Sequence, residues 1–267
     1  MDINSRYQLH TGGSMPVMGL GTWQLTNDTT DSIAHALESG YQMVDTSGDY
    51  GTQPGVGAAI RAADVARDEV FLVTKVEEYE DAHQASGRNV EELGLDHVDL
   101  MLIHRPPATG AGVDLWKGLI AARDEGLTAD IGVSNYSISQ IQELSDASGE
   151  LPVVNQIEWS PFGWSDEMKD FCAENEIVIQ AYSPLTRERR LDDDVVQRIA
   201  DEHDATPAQV LLRWGLQHGV APLPKANETD HQEENLGVFD FEIDSSSMSE
   251  LDNLNEHYSS LGSLPYV

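Results

Sequence analysis

The sequence predicts a parallel (β/α)8 barrel with an N-terminal hairpin across its bottom, and three observations lead there. Three apolar runs each close on a different polar residue: Met43-Val44 on Asp45, Phe71-Leu72-Val73-Thr74 on Lys75, and Leu100-Met101-Leu102-Ile103 on His104. These closing residues recur at intervals of about 30 residues, the length of one strand-helix unit when roughly 250 residues supply eight. The chain has 267 residues, so one barrel spanning 1–267 suffices and no linker-like tract divides it. In this fold the C-terminal ends of the strands share one mouth. Asp45, Lys75 and His104 should therefore converge, with Tyr50 joining them from the loop after the first.

Taken in order, residues 7–20 alternate around Thr11-Gly12-Gly13-Ser14 and predict a hairpin, placed over the barrel's N-terminal end because it precedes the first barrel strand. Residues 17–22 form that strand. Helix 29–39 has Asp28 as cap and Gly40 as stop. The second strand follows at once, then a short helix through Gly57-Ala58-Ala59-Ile60. The third strand is 70–75, and helix 80–93 is interrupted by Gly87. After the fourth strand, helix 113–125 ends at Gly126. Residues 131–135, 153–156 and 177–181 are the fifth, sixth and seventh strands. Helices follow at 193–203 and 207–218, the second opened by Thr206-Pro207. The eighth strand, 219–223, delivers Pro224-Lys225, and 230–254 reads as two helical segments separated by Phe239-Asp240-Phe241.

Composition narrows the partners. Acids number 47 against 15 Lys and Arg, a net charge of −32. They are spread over helix faces, which argues against nucleic acid or an anionic membrane, since both require clustered cations. The pattern resembles that of proteins from salt-accumulating halophiles, where a Debye length of about 3 Å at 1 M salt screens self-repulsion. No basic region followed by an apolar run opens the chain, and no stretch has the length of a bilayer span. A cytoplasmic monomer is the expectation. One cysteine, Cys172, excludes an internal disulfide and reads as a small apolar helix residue. Lysines are so few (Lys75, Lys117, Lys169 and Lys225) that the two closing apolar runs, Lys75 and Lys225, call for a role other than solubility. The nine histidines are dispersed with no metal-binding spacing, so no metal is expected.

Carbonyl reduction needs a hydride donor and a proton donor at the oxygen. A tyrosine ionises near pH 10; an ammonium beside it favours phenolate, and an aspartate holds the ammonium in place. Tyr50, Lys75 and Asp45 suit these roles, and His104 suits a hydrogen bond to the carbonyl oxygen. Singly, each has an ordinary explanation: a loop cap, a half-buried ring, a snorkelling lysine, a structural histidine. Their joint occurrence at strand ends favours function.

Asp-Thr-Ser-x-x-Tyr at 45–50, Val-Thr-Lys at 73–75, Leu-Ile-His at 102–104 and Leu-Gly-Leu-Asp-x-Val-Asp-Leu at 93–100 resemble the aldo-keto reductase family, over nearly the whole chain. The resemblance implies Tyr50 as general acid in reduction and base in oxidation, tuned by Lys75 and Asp45, with His104 positioning the oxygen. It implies a nicotinamide cofactor touching the Gly21-Thr22 turn, its carboxamide held by Ser134, Asn135 and Gln156, Tyr182 stacked on its ring, and Ser183 and Leu185 near the pyrophosphate. Lys225, His231, Glu234 and Asn235 match the adenosine-phosphate site, with two departures: Ala226 replaces a serine and His231 an arginine. NADPH is preferred because of Lys225; NADH stays open, since histidine lacks the bidentate grip of arginine. Gln53 also departs, standing where an acid is usual. Trp23, Tyr50, His104 and Arg105 would line a pocket for a small-molecule carbonyl substrate, with Trp159 or Trp164 as further candidates. Arg105 either attracts an acidic substrate or pairs with a carboxylate, and the excess of acid favours pairing. Two alternatives remain: an NADP(H)-binding redox-sensing or regulatory barrel with little turnover, and a phosphate-binding isomerase or lyase on the same fold.

Overall fold

The computed structural model describes residues 1–266. The hairpin forms from β1 (Arg6–Gln8) and β2 (Ser14–Pro16), antiparallel with Tyr7 opposite Met15. Eight parallel strands follow in sequence order: β3 (Leu20–Gly21), β4 (Met43–Asp45), β5 (Phe71–Val76), β6 (Val98–Ile103), β7 (Thr128–Ser134), β8 (Val154–Glu158), β9 (Val178–Tyr182) and β10 (Ala221–Pro222). Gly19 N donates to Pro222 O at 3.1 Å and Gly21 N to Pro224 O at 2.9 Å, closing the ring between first and last barrel strands. Leu9 and Met15 pack with Met43, Phe71, Val153 and Val178, residues at the entry ends of the strands. The hairpin thus plugs the barrel's N-terminal end, as its sequence position predicts.

The outer ring is α1 (Thr29–Glu38), α2 (Gln53–Ala62), α3 (Ala82–Leu93), α4 (Val113–Asp124), α5 (Ile138–Ser148), α6 (Asp166–Glu174), α7 (Asp194–Glu202) and α8 (Pro207–Gln217), followed by α9 (Thr229–Leu236) and α10 (Ser245–Asp252). Asp28 caps α1 by accepting from Thr30 N and Asp31 N, and Thr206 with Gln209 forms a capping box on α8. Helices α5 and α6, not among the expected elements, also carry start signals: Ser137 with Gln140 forms a second capping box, and Ser165 caps α6.

Helix α3 corrects one expectation, because Gly87 does not interrupt it. Its neighbours Ala85, Ser86, Asn89 and Val90 are buried, and tertiary packing of that face outweighs the roughly 1 kcal/mol helix penalty of a glycine. Gln53 is buried at the start of α2. Its Oε1 accepts from Thr74 Oγ1 at 2.7 Å, and its Nε2 donates to Glu92 Oε2 at 2.7 Å. An uncharged amide can both donate and accept, so it ties α2 to β5 and α3 where an acid could only accept.

Cys172 is buried, which pushes its thiol up to about 12 and leaves it unreactive at neutral pH. Among the described residues, no helix is long and apolar enough to cross a membrane.

Two glycines in the ring make opposite predictions. A Cβ on Gly57 would lie 1.7 Å from Leu93 O, where α2 crosses the end of α3, whereas a Cβ on Gly87 meets nothing within 4 Å. Gly57→Ala is expected to lower unfolding free energy in urea by about 3 kcal/mol through overpacking. Gly87→Ala is expected to raise it by up to about 1 kcal/mol through helix propensity.

Candidate active site

The parallel register brings the strand ends together: Asp45 is paired with Gly21 and Val73, Lys75 with Leu102, and Ser134 with Gln156. At the centre, Lys75 Nζ donates to both carboxylate oxygens of Asp45, each at 2.8 Å, and to Thr46 O at 2.7 Å. Gln156 Nε2 adds a bond to Asp45 Oδ1 at 2.8 Å and another to Gln180 Oε1 at 2.9 Å. Lys75 and Asp45 are 1% and 4% exposed. Burying such a pair is tolerable only when the remaining donors and lone pairs are satisfied, and here they are.

Tyr50 sits over this pair. Lys75 Nζ is 4.9 Å from its ring centroid, and its hydroxyl is 3.5 Å from His104 Nε2. The expected lowering of the phenol pKa does not occur. Burial raises it most, the charges of Asp45, Asp49 and Glu77 raise it further, and only Arg105 opposes them. Lys75 Nζ spends its donors on Asp45 and Thr46 O and makes no hydrogen bond to the Tyr50 hydroxyl among the described residues. Tyr50 is therefore kept as a phenol, the form that donates a proton.

On its other edge, His104 Nδ1 lies 2.5 Å from Glu77 Oε1 and 3.7 Å from Asp49 Oδ1. Ligand atoms of the three residues lie within 4.8 Å of one another, but the hydrogen bond to Glu77 already occupies Nδ1 and accounts for their proximity. Arg105 is half exposed and approaches Glu77 Oε2 at 3.9 Å, the loose pairing that the acid excess favours.

Asp45, Tyr50 and His104 open into a cleft of about 730 Å³, with Lys75 buried behind its lining. Gly21, Trp23, Asp45, Tyr50, His104 and Arg105 line one part; Ser134, Asn135, Gln156, Tyr182, Ser183, Leu185 and Lys225 line the rest. Thr22, Lys75, His231, Glu234 and Asn235 lie outside the lining. Thr22 turns its hydroxyl to Thr52 at 3.0 Å, and Glu234 accepts from Thr206 Oγ1 at 2.7 Å. Asn235 is buried and His231 exposed, both on α9. Trp159 and Trp164 are corrected as pocket candidates: both are buried away from the cleft, packed against each other, with Tyr266 beside the first and Trp214 beside the second. Both follow β8 closely, and their large apolar area is better satisfied under the C-terminal segment.

Several residues in and behind the cleft lining escaped sequence reasoning. Glu77 carried no motif. Arg187 stacks over Trp23 at 5.1 Å and donates to Gln24 Oε1 at 3.0 Å. Leu261, Ser263, Leu264 and Pro265 cover one side, held by Glu158, whose buried carboxylate accepts from Ser260 N at 2.7 Å and Ser259 Oγ at 2.6 Å. The loop after β9 carries left-handed backbone at Ser183, Thr186, Arg187 and Glu188, strain of the kind that collects at ligand sites.

The donor set fits a phosphorylated dinucleotide. In a chain with 47 acids and 15 Lys and Arg, three cations, Arg105, Arg187 and Lys225, face one cleft, and Lys225 forms no salt bridge among the described residues. Gln156 Oε1 accepts no bond from the described protein and is available to an amide N–H. Tyr182, fixed by its hydroxyl on Asn135 Oδ1 at 2.7 Å, offers a ring to a flat heterocycle.

A family profile described as the Aldo/keto reductase family matches residues 17–256. An aldo-keto reductase of Mycobacterium tuberculosis is 42% identical over 249 residues, covering 91% of this chain and 88% of the relative. The methylglyoxal reductase DkgA of Salmonella typhimurium is 38% identical over 255 residues, covering 93% of each. Among solved structures, a Bombyx mori aldo-keto reductase in complex with NADP superposes with a TM-score of 0.90 at 30% identity, covering 96% of this chain and 94% of that one.

The buried pair makes its own prediction. Lys75→Met is expected to cost about 3 to 5 kcal/mol of unfolding free energy, because it strands the Asp45 carboxylate, and the Lys75→Met/Asp45→Leu double variant should recover most of that loss. Urea titrations of the three proteins measure it.

Proposed function

The chain belongs to the aldo/keto reductase family and is an NAD(P)H-dependent oxidoreductase, and on that premise we propose that it reduces small aldehydes and ketones with Tyr50 as proton donor. The observation that carries this is the placement of Tyr50, half-buried in the cleft, with its ring over the Lys75–Asp45 pair and its hydroxyl beside His104. Similarity to a methylglyoxal reductase supports small dicarbonyls as one substrate class.

The cofactor, when bound, supplies the hydride that adds to the carbonyl carbon. Gln156, Ser134 and Asn135 hold its carboxamide, Tyr182 flanks the ring, and Ser183, Leu185 and Lys225 bind toward the phosphates, with His231, Glu234 and Asn235 on α9 as adenosine-end contacts. As charge builds on the carbonyl oxygen, Tyr50 gives up its hydroxyl proton to it, leaving phenolate beside the Lys75 ammonium. The reverse step requires phenolate to take the proton back from an alcohol. Trp23 and Arg105 flank the space left for the substrate.

Preference for NADPH rests on Lys225, a cleft-lining cation without a salt bridge among the described residues, with His231 on α9 standing where an arginine would give a bidentate grip. Titrating the protein with NADPH and with NADH while following tryptophan fluorescence tests this, since Trp23 lines the cleft. Tighter NADPH binding is expected; equal binding would assign no role to the 2′-phosphate, and binding of neither would remove the proposed function.

The raised Tyr50 pKa fixes a pH asymmetry. Reduction uses phenol, which persists beyond the ordinary value of about 10, so the proton-donor limb should stay flat through pH 10. Oxidation uses phenolate, so its rate should climb with pH and reach no plateau below about pH 10. Initial rates in both directions across this range check the sign; an oxidation plateau near neutrality would contradict it.

A further inference from the structure

Arg105 lies two residues past β6, between His104 and the pair Pro106–Pro107, whose rings restrict the backbone that carries it. Asn135 Nδ2 donates to His104 O at 3.1 Å and ties this turn to the end of β7. The guanidinium itself is loosely held. Its side chain is 52% exposed, and its partner Glu77 Oε2 is 3.9 Å away, beyond hydrogen-bond reach. The other oxygen of Glu77 lies 2.5 Å from His104 Nδ1 and accepts from Ser47 Oγ at 3.4 Å. Every other arginine of the chain donates at least one side-chain hydrogen bond to the protein. Arg105 donates none among the described residues, although the chain holds 47 acids.

The cleft gives this fork of unused donors a setting. Arg105 lines it with Tyr50, His104 and Trp23, the part left for the substrate. Arg187 and Lys225 belong instead to the segments after β9 and β10, where the cofactor phosphates are proposed to lie. The charge of Arg105 is felt at the reacting end: burial raises the Tyr50 and Tyr182 phenols, and the guanidinium acts against that rise in both. The carboxylates in the lining are Asp45, paired with Lys75, and Glu188, in the loop after β9. Asp49 and Glu77 are not part of the lining and sit at the Nδ1 edge of His104. Trp23 and Leu261, large apolar side chains that the protein leaves exposed, also line the cleft. Apolar wall beside a planar cation with unused donors suits a short carbon chain that ends in a carboxylate.

We propose that the preferred substrates of this reductase are carbonyl compounds that carry a carboxylate, short semialdehyde acids among them, with Arg105 receiving the carboxylate while the carbonyl oxygen lies at Tyr50 and His104. This rests on the reductase function proposed above and narrows its substrate class. In the reaction the hydride adds to the aldehyde carbon and the Tyr50 proton to its oxygen, giving a hydroxy acid and oxidised cofactor. The carboxylate is unchanged throughout. Its bonds to Arg105 are therefore the same before and after hydride transfer, and such uniform binding acts on KM more than on kcat. Two parallel N–H bonds would also fix the orientation of the chain, which a compact ammonium would do less well. The loose contact with Glu77 keeps the guanidinium over the cleft without occupying its donors.

The test compares succinic semialdehyde with its methyl ester, which differ in charge and little in size, by NADPH oxidation at one fixed KCl concentration. The wild type is expected to show a kcat/KM about tenfold or more higher for the acid, carried by a lower KM. In Arg105→Gln the acid-to-ester ratio should fall about tenfold or more, and Arg105→Lys, which keeps the charge and loses the fork, should lie between. A general defect would lower both rates together and leave the ratio intact. An intact ratio in Arg105→Gln would overturn the proposal, as would a wild type that reduces the ester, or methylglyoxal, as readily as the acid. If no carbonyl compound is reduced, the reductase function falls and succinate decides the anion site by itself. Quenching of tryptophan fluorescence by succinate in the wild type and not in Arg105→Gln would keep the site; equal quenching, or none in either, would remove it.

Discussion

Everything at the barrel mouth depends on one buried ion pair. Lys75 and Asp45 come from adjacent strands, and their ammonium and carboxylate are answered almost completely by each other, by Thr46 O and by Gln156. Because Gln156 is on β8, the same set of bonds crosses the barrel from β4 and β5 to the far wall. A pair this enclosed adds little net stability compared with an apolar replacement. What it fixes is a position: one face of Tyr50 rests on a charge that cannot move away.

From that constraint the rest of the site follows in layers. Tyr50 lies over the pair, His104 lies beside Tyr50, and Glu77 lies behind His104. Three carboxylates, Asp45, Asp49 and Glu77, act together with burial to keep the phenol protonated. A site poised this way holds its proton until an oxygen with growing negative charge arrives. Further along the cleft the electrostatics reverse, with Arg105, Arg187 and Lys225 facing it. In so acidic a chain, that local excess of positive charge suits the anionic cofactor proposed to bind there.

Much of this was legible in the sequence because strand ends and chain order encode it. Asp45, Lys75 and His104 end apolar runs at a regular interval, and a parallel barrel turns such an interval into a cluster. Helices with capping residues and glycine stops, such as α1, were placed to within a residue. Other features were hidden for physical reasons. Gly87 reads as a breaker until the buried face of α3 is known. Glu77 and Glu158 read as two more acids among 47, since burial, which gives each its meaning, is set by distant segments: the loop after β4 and the β6 end for one, the C-terminal residues 259–266 for the other. The tryptophans misled because a large aromatic near a strand end suits a pocket wall and a core equally well. The direction of the Tyr50 shift was missed because the local sequence shows its lysine but not the burial that dominates the shift, nor the carboxylates gathered around the ring.

The central claim is that Tyr50 delivers the proton while the pair beneath it only holds the geometry. The most direct measurement is Tyr50→Phe, assayed side by side for NADPH binding by fluorescence and for methylglyoxal-dependent NADPH oxidation by absorbance. Binding is expected to stay close to wild type while kcat falls by about 10² to 10⁴, the usual worth of a positioned general acid. Turnover at the wild-type rate would contradict it and move the proton donor elsewhere in the cleft.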